Sequence, residues 1–227
     1  MIPTPDLSHL SDDDKLHVYD PAGKLPYCDT FLLLDGLEKD AEQLKKQNLL
    51  ICLEIGSGSG CVSAFLGSIL GSANALYLCT DINTRASICT AATGKQNKIP
   101  LNPITCDLSG PLSSRLRHSV DIILFNPPYV PTDHDEASYA QDIAGIAGSW
   151  AGGADGMEVT NRFLDNVGNL LSDHGRFYLV ALAQNNIPQI RQKMQSSFNL
   201  NSEVVIQRRA GRETLHILRF CRSVGNV

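Results

Sequence analysis

The chain has 227 residues, 43% of them hydrophobic, with a formal net charge of −5. That length suits one large domain with a modest extension, and the acidic balance argues against a general electrostatic grip on nucleic acid. There is no uninterrupted apolar run of about 18 residues, so no transmembrane helix is expected; seven cysteines without Cys-x-x-Cys or zinc spacing imply reduced thiols, a cytoplasmic or nuclear setting and no metal site.

Met1 to about Pro26 reads as a poorly structured acidic segment around Asp12, Asp13 and Asp14, unlike a secretory or mitochondrial leader. The division expected is a flexible extension over 1–28 and a single domain over 29–227. Phe31, Leu34, Leu37, Ala41 and Leu44 have helical spacing, which predicts a helix from Asp29 to about Lys46. Leu49 to Ile55 is apolar on both faces, as a central parallel strand requires, and runs into Gly56-Ser57-Gly58-Ser59-Gly60 and a helix over Val62 to Leu70. A second strand, Ala75 to Asp81, precedes a helix from Thr84 to Gln96. A third, Asn102 to Cys106, should lie at a sheet edge, and a fourth spans Val120 to Phe125.

Beyond it lies a long loop to Gly156, with a helical turn expected at Ile143 to Ile146 and a Gly-rich cluster after Trp150. The expected elements then are a helix over Met157 to Leu171, a strand over Arg176 to Ala181 and a helix over Asn186 to Gln195. Two antiparallel strands, Ser202 to Gln207 and Thr214 to Phe220, close the chain. Strand–helix alternation through the middle predicts an α/β fold: a doubly wound, mostly parallel seven-stranded sheet with an N-terminal helical extension.

Asn126-Pro127-Pro128-Tyr129 directly follows the fourth strand. Neither proline can donate a backbone N–H, so sheet pairing stops there, at the end of a parallel sheet where ligands bind. The Asn126 side-chain carbonyl and the Pro127 backbone carbonyl are two acceptors suited to a planar –NH2 group, and the Tyr129 ring can stack on a flat substrate. The plainer alternative is a turn that Asn126 merely caps. At the other strand ends, Glu54 stands beside the glycine turn, Asp81 can accept from ribose hydroxyls, and Asp107 can accept from an adenine amino group while Leu108 offers its N–H. No cation stands ready for a pyrophosphate, so the fitting ligand is S-adenosylmethionine.

With these motifs in place, the sequence resembles the HemK-like class I S-adenosylmethionine-dependent methyltransferases with a Rossmann-like fold. More narrowly it resembles eukaryotic enzymes that methylate a glutamine of the class-1 translation termination factor. The resemblance is carried by Asp29 to Asp35, Cys52 to Gly60, Cys79 to Asn83, Phe125 to Val130 and Trp150 to Gly153. It implies transfer of a methyl group to the side-chain amide nitrogen of the glutamine in a Gly-Gly-Gln motif, with a small zinc-binding activator subunit forming a heterodimer. It also implies that Tyr19 and Thr30 border the cofactor, that Glu54, Gly56 and Gly58 face its methionine part, that Asp81 and Ile82 face the ribose and Asp107 the adenine, and that Asn126 holds the substrate amide. One departure stands out. The family's compact Tyr-Glu-Pro-Ala-Glu-Asp-Thr segment is interrupted here by Gly23 to Cys28, and Cys28 replaces the carboxylate before Asp29.

Methylation of a nucleobase exocyclic amine would use the same pair of acceptors. It calls for basic surface, and Arg208, Arg209 and Arg212 are the one basic cluster. Three competing readings stay open: a protein lysine as methyl acceptor, a non-catalytic scaffold for activator or release factor, and an NAD oxidoreductase. No direct nucleic-acid or membrane partner is expected.

Overall fold

The structure is a computed structural model that describes residues 2–18, 27–47, 50–132, 152–211 and 213–222. Its strands are β1 (Leu50–Ile55), β2 (Ala75–Asp81), β3 (Leu101–Thr105), β4 (Val120–Phe125), β5 (Leu171–Leu182), β6 (Leu200–Ala210) and β7 (Glu213–Arg222). They form one seven-stranded sheet in the order β3-β2-β1-β4-β5-β7-β6. The first five pair in parallel, and β7 runs antiparallel to both β5 and β6. The expected doubly wound sheet is therefore present, with β3 at one edge. Strand order reverses between β1 and β4, which opens a crevice at their carboxyl ends.

Period-two alternation divides the core between the two faces. Ile122 and Leu124 join one apolar cluster, with the buried side of α2 (Tyr27–Leu44) and of α3 (Cys61–Leu70). Ile123 and Phe125 join the other, with α5 (Glu158–Leu164) and α7 (Ile187–Phe198). In the second cluster Phe125 meets Phe163 edge-on at 5.0 Å between centroids, Phe163 meets Phe177, and Phe177 stacks on Phe220. This aromatic row seats α5 beneath the end of β4.

Three expectations need correcting. Residues up to Pro26 were expected to lack structure, yet Ile2–Val18 fold onto the domain. Leu10 is buried, and the Ile2 N–H donates to Glu38 Oε1 at 2.6 Å. Asp6 exchanges hydrogen bonds with Gln96 and Asn97, and His9 Nε2 meets Thr93 Oγ1 at 3.1 Å. The segment thus runs along α4 (Thr84–Asn97) and ends in a helix, α1 (Asp12–Val18), while α2 begins at Tyr27, ahead of the expected boundary at 28/29. Second, the helix expected over Met157 to Leu171 is broken after Leu164 and resumes as α6 (Val167–Leu170). Asn166 leaves helical geometry at φ −124°, in keeping with the local alternatives that Asp and Asn offer the backbone. Third, β5 starts at Leu171, not Arg176. Leu171 pairs with Val120 and Arg176 with Ile122, so the polar residues Ser172 to His174 loop out of register. The helical turn expected at Ile143 to Ile146, Trp150 and most of the insertion at 23–28 lie outside the described residues.

Candidate active site

Three adjacent strands end at one level. Ile55 pairs with Thr80 on β2 and with Phe125 on β4, so Gly56, Asp81 and Asn126 follow side by side. This is the switch point of the sheet, and it assembles residues that are far apart in the chain.

The turn after β1 is shaped by backbone conformation. Gly56 and Gly58 have φ +67° and +50°, values that L side chains rarely adopt, and a methyl group added at either would meet nothing within 4 Å. The backbone there borders open space that a ligand can approach closely. The carboxylate of Asp81 holds the turn: Oδ2 accepts from the Gly58 N–H at 2.9 Å and Oδ1 from the Asn83 N–H at 2.9 Å. Burial pushes the Asp81 carboxyl up, and these two hydrogen bonds oppose the shift. Ile82 follows it, half-buried. Asn83 caps α4 through Arg85 N–H and donates its Nδ2 to the His17 carbonyl at 3.3 Å. The N-terminal segment is thereby tethered two residues from Asp81 and two before Tyr19, which lies outside the described residues.

Glu54 points into the sheet's helix-covered face. It is buried, and its Oε2 accepts from the Ser63 N–H at 3.0 Å and from the Ser63 hydroxyl. Burial pushes its carboxyl up to about 8, the Ser63 bonds counter this, and the neighbouring Asp81 charge adds to it. A cationic group entering beside Glu54 would favour its ionised form.

The Asn126 turn is gripped from two sides. From α2, Asp29 Oδ2 accepts from Asn126 Nδ2 at 3.2 Å and from the Tyr129 hydroxyl at 2.7 Å, while Asp29 Oδ1 accepts from the Thr30 N–H at 2.6 Å. Thr30 is half-buried one residue further along this first turn. From the far side, the buried Asn185 donates Nδ2 to the carbonyls of Tyr129 and Asp155 and accepts from the Leu182 N–H. Gly156, at φ +67°, packs so closely on the Tyr129 carbonyl that any side chain would collide with it. Pro127 and Pro128 are buried, and the Gly152 N–H donates to the Val130 carbonyl at 2.9 Å.

One atom in this arrangement stands out. Asn126 Oδ1 is buried and accepts no hydrogen bond from the described residues. A buried acceptor left unpaired costs roughly 1–3 kcal/mol, which a ligand N–H would recover.

Asp107 departs from this pattern. It lies exposed beyond β3, and its Oδ2 pairs with Arg162 of α5. With half-buried Leu108, at φ +50°, it lines a cleft that also includes Ser109, Arg162 and Phe163. Sequence reasoning placed Glu54, Gly56, Gly58, Asp81 and Asn126 at one crevice, and the sheet brings them together. It missed Asp29, Ser63, Asn83 and Asn185 as supports; only Asp29 carried a signal, its place just before Thr30 at a helix start.

A doubly wound sheet that gathers a glycine turn, a strand-end carboxylate and an orphaned acceptor at its switch point forms a Rossmann-like ligand crevice. Residues 29–149 match the Methyltransferase small domain family. The human protein named Methyltransferase HEMK2 is 44% identical over 220 residues, spanning 97% of each chain. The Schizosaccharomyces pombe protein named eRF1 methyltransferase catalytic subunit mtq2 is 42% identical across 100% of this chain and 98% of its own. Among solved structures, the E. cuniculi Mtq2–Trm112 complex, described as responsible for methylation of the eRF1 translation termination factor, superimposes with a TM-score of 0.63. It is 26% identical, covering 88% of this chain and 98% of that one. The chain belongs to the Methyltransferase small domain family and is a methyltransferase.

Proposed function

We propose that this chain is the catalytic subunit of a release-factor glutamine methyltransferase. It transfers a methyl group to the side-chain amide nitrogen of the glutamine in a Gly-Gly-Gln motif of the class-1 termination factor. The observation that carries this reading is the unpaired, buried Oδ1 of Asn126 on a turn whose prolines supply no N–H. The names of the human, fission-yeast and E. cuniculi relatives support it.

The residues present fit S-adenosylmethionine. Gly56 and Gly58 leave open the space that a side chain would fill, and carboxylates stand at 54 and 81 for an ammonium group and ribose hydroxyls. Thr30 and Tyr19 would border it, Ile82 would lie beside the ribose, and Asp107 with the Leu108 N–H would face the adenine. When bound, the cofactor supplies an electrophilic methyl on a sulfonium centre.

An amide nitrogen is a poor nucleophile because its lone pair is delocalised. Asn126 Oδ1 and the Pro127 carbonyl would accept its two N–H groups, fix the plane of the amide and stabilise the positive charge that builds on those hydrogens. The Tyr129 hydroxyl is committed to Asp29, which sets the ring beside that plane. No general base among the chain's residues is compelled, because the proton becomes acidic only as the new bond forms and would then pass to solvent. Orientation of this kind can contribute roughly 7–11 kcal/mol in favourable cases.

The chain would work with a small activator subunit, a zinc-binding one in our reading, in the cytoplasm or nucleus. Among the described residues, edge strand β3 pairs only with β2 in the sheet, and it is a natural place for an added strand. A chain that is stable and fully active alone would rule the activator out. Mass mapping of the termination factor after incubation with the enzyme, with and without activator, tests the reading. A gain of one methyl on the Gly-Gly-Gln glutamine is expected; modification elsewhere, or none, would overturn it.

A further inference from the structure

We propose that Asp29 is a positioning residue that fixes which end of the Asn126 carboxamide faces the substrate, and so makes the site select an amide over a carboxylate. The proposal rests on the glutamine reading above and concerns how that specificity is set.

A carboxamide has nearly the same shape when turned over, but its chemistry inverts: one end accepts and the other donates. Nothing within Asn126 itself decides between the two. The decision comes from Asp29: burial pushes its carboxyl up, but the hydrogen bonds it accepts from Tyr129, Asn126 and Thr30 oppose that shift, and the carboxylate they favour can only accept. Its Oδ2 lies 3.2 Å from Asn126 Nδ2 and 2.7 Å from the Tyr129 hydroxyl, so a single oxygen gathers both donors of the turn. Turning the carboxamide over would set Oδ1 against this oxygen, two acceptors face to face in a buried place, and would aim –NH2 at the substrate. The present orientation leaves Oδ1 as the unpaired acceptor.

Asp29 is itself held. Its Oδ1 accepts from the Thr30 N–H at 2.6 Å in the first turn of α2, and it is only 8% exposed. The next turns of α2 are pinned by Leu32, Leu33 and Leu37, all fully buried. The acceptor-outward state of Asn126 is thus anchored in the core 97 residues away along the chain.

Substrates differing only in the group offered to Asn126 read this out. A Gly-Gly-Gln factor offers –NH2, and the Gln→Glu factor offers oxygens alone. With the enzyme assembled with activator and S-adenosylmethionine, the wild type should bind the Glu factor far more weakly than the Gln factor. Asp29→Asn can donate or accept, so Asn126 can turn over. The ratio of the two affinities should narrow about tenfold and kcat on Gln should fall about thirtyfold, while cofactor affinity and melting temperature move little.

An unaltered ratio in Asp29→Asn, or losses of rate matched by equal losses of cofactor affinity, would overturn the proposal. A measurement on the wild type covers a variant that does not fold, and also the case where glutamine proves not to be the substrate. In the assembled enzyme, the Asn126 side-chain amide should show one proton exchanging at least about tenfold more slowly than in a free carboxamide. If instead both exchange freely, the grip of Asp29 is not there. A wild type that methylates no glutamine but shows this protection would count against the glutamine reading, and for the positioning role.

Discussion

Glu54 and Asp107 are both acids at the carboxyl ends of parallel strands in one sheet, yet the fold treats them in opposite ways. Glu54 belongs to β1, flanked on both sides by β2 and β4 and covered by the first turn of α3; it is buried and bonded to Ser63. Asp107 follows β3, which among the described residues has a neighbour on one side only, and it sits in the open paired with Arg162. The same residue class near a strand's carboxyl end thus becomes a desolvated element of the crevice wall or a solvated group at its rim. What separates them is strand order together with where each stands: Glu54 inside a central strand under α3, Asp107 past the end of an edge strand.

Four measurements probe this contrast between wall and rim. The largest effect is expected at the buried half: Asn126→Ala should lower kcat on the order of 10²-fold, by analogy with removing one oriented polar group, with cofactor affinity by calorimetry preserved. Equal loss of both would make Asn126 structural. Next, Asp81→Ala should weaken cofactor binding on the order of 10- to 100-fold, the worth of about 1.5–3 kcal/mol for a hydrogen bond to a charged group. An affinity unchanged within error would place the ribose elsewhere.

The third tests the burial of Glu54. Its carboxyl moves from an ordinary 4.5 to about 8 in the folded chain. Folding therefore takes up a proton between those values, and this group's contribution is fully present below the lower one and lost as pH rises through the upper. Glu54→Gln stays neutral throughout, so the variant should gain stability relative to wild type as pH rises from about 5 to about 9, by roughly 2–4 kcal/mol in urea melts. A constant difference would mean that Glu54 is not desolvated. The smallest effect belongs to the rim: Asp107→Asn should cost less than about 1 kcal/mol of stability and reduce cofactor affinity less than about fivefold. A hundredfold loss would erase the distinction between the two halves.

Much of the crevice was legible because it is local. β1, β2 and β4 announce themselves as apolar runs, and Gly56, Asp81 and Asn126 sit at their ends by simple counting. Two of the supports were not, because they act across distances that no window contains: Asp29 reaches Asn126 over 97 positions, and Asn185 reaches Tyr129 over 56. Asp29 was hidden by a good local explanation, since an acid at a helix start needs no other reason to be there. The N-terminal residues misled for a related cause: a short, acidic, proline-containing stretch has no periodicity, and its partners Glu38, Thr93, Gln96 and Asn97 belong to helices already accounted for. The break at Asn166 and the looped-out Ser172 to His174 are local backbone departures that apolar spacing does not encode.

Because Thr80, Ile55 and Phe125 stand level across β2, β1 and β4, the lengths of these three ribbons are not interchangeable parts. Adding or deleting even one residue within any of them would slide its terminal group by about 3.3 Å against the other two and turn its neighbours to the opposite face. Redesign of this scaffold for another acceptor therefore has freedom in the turns beyond the ribbons, and none in where the ribbons stop.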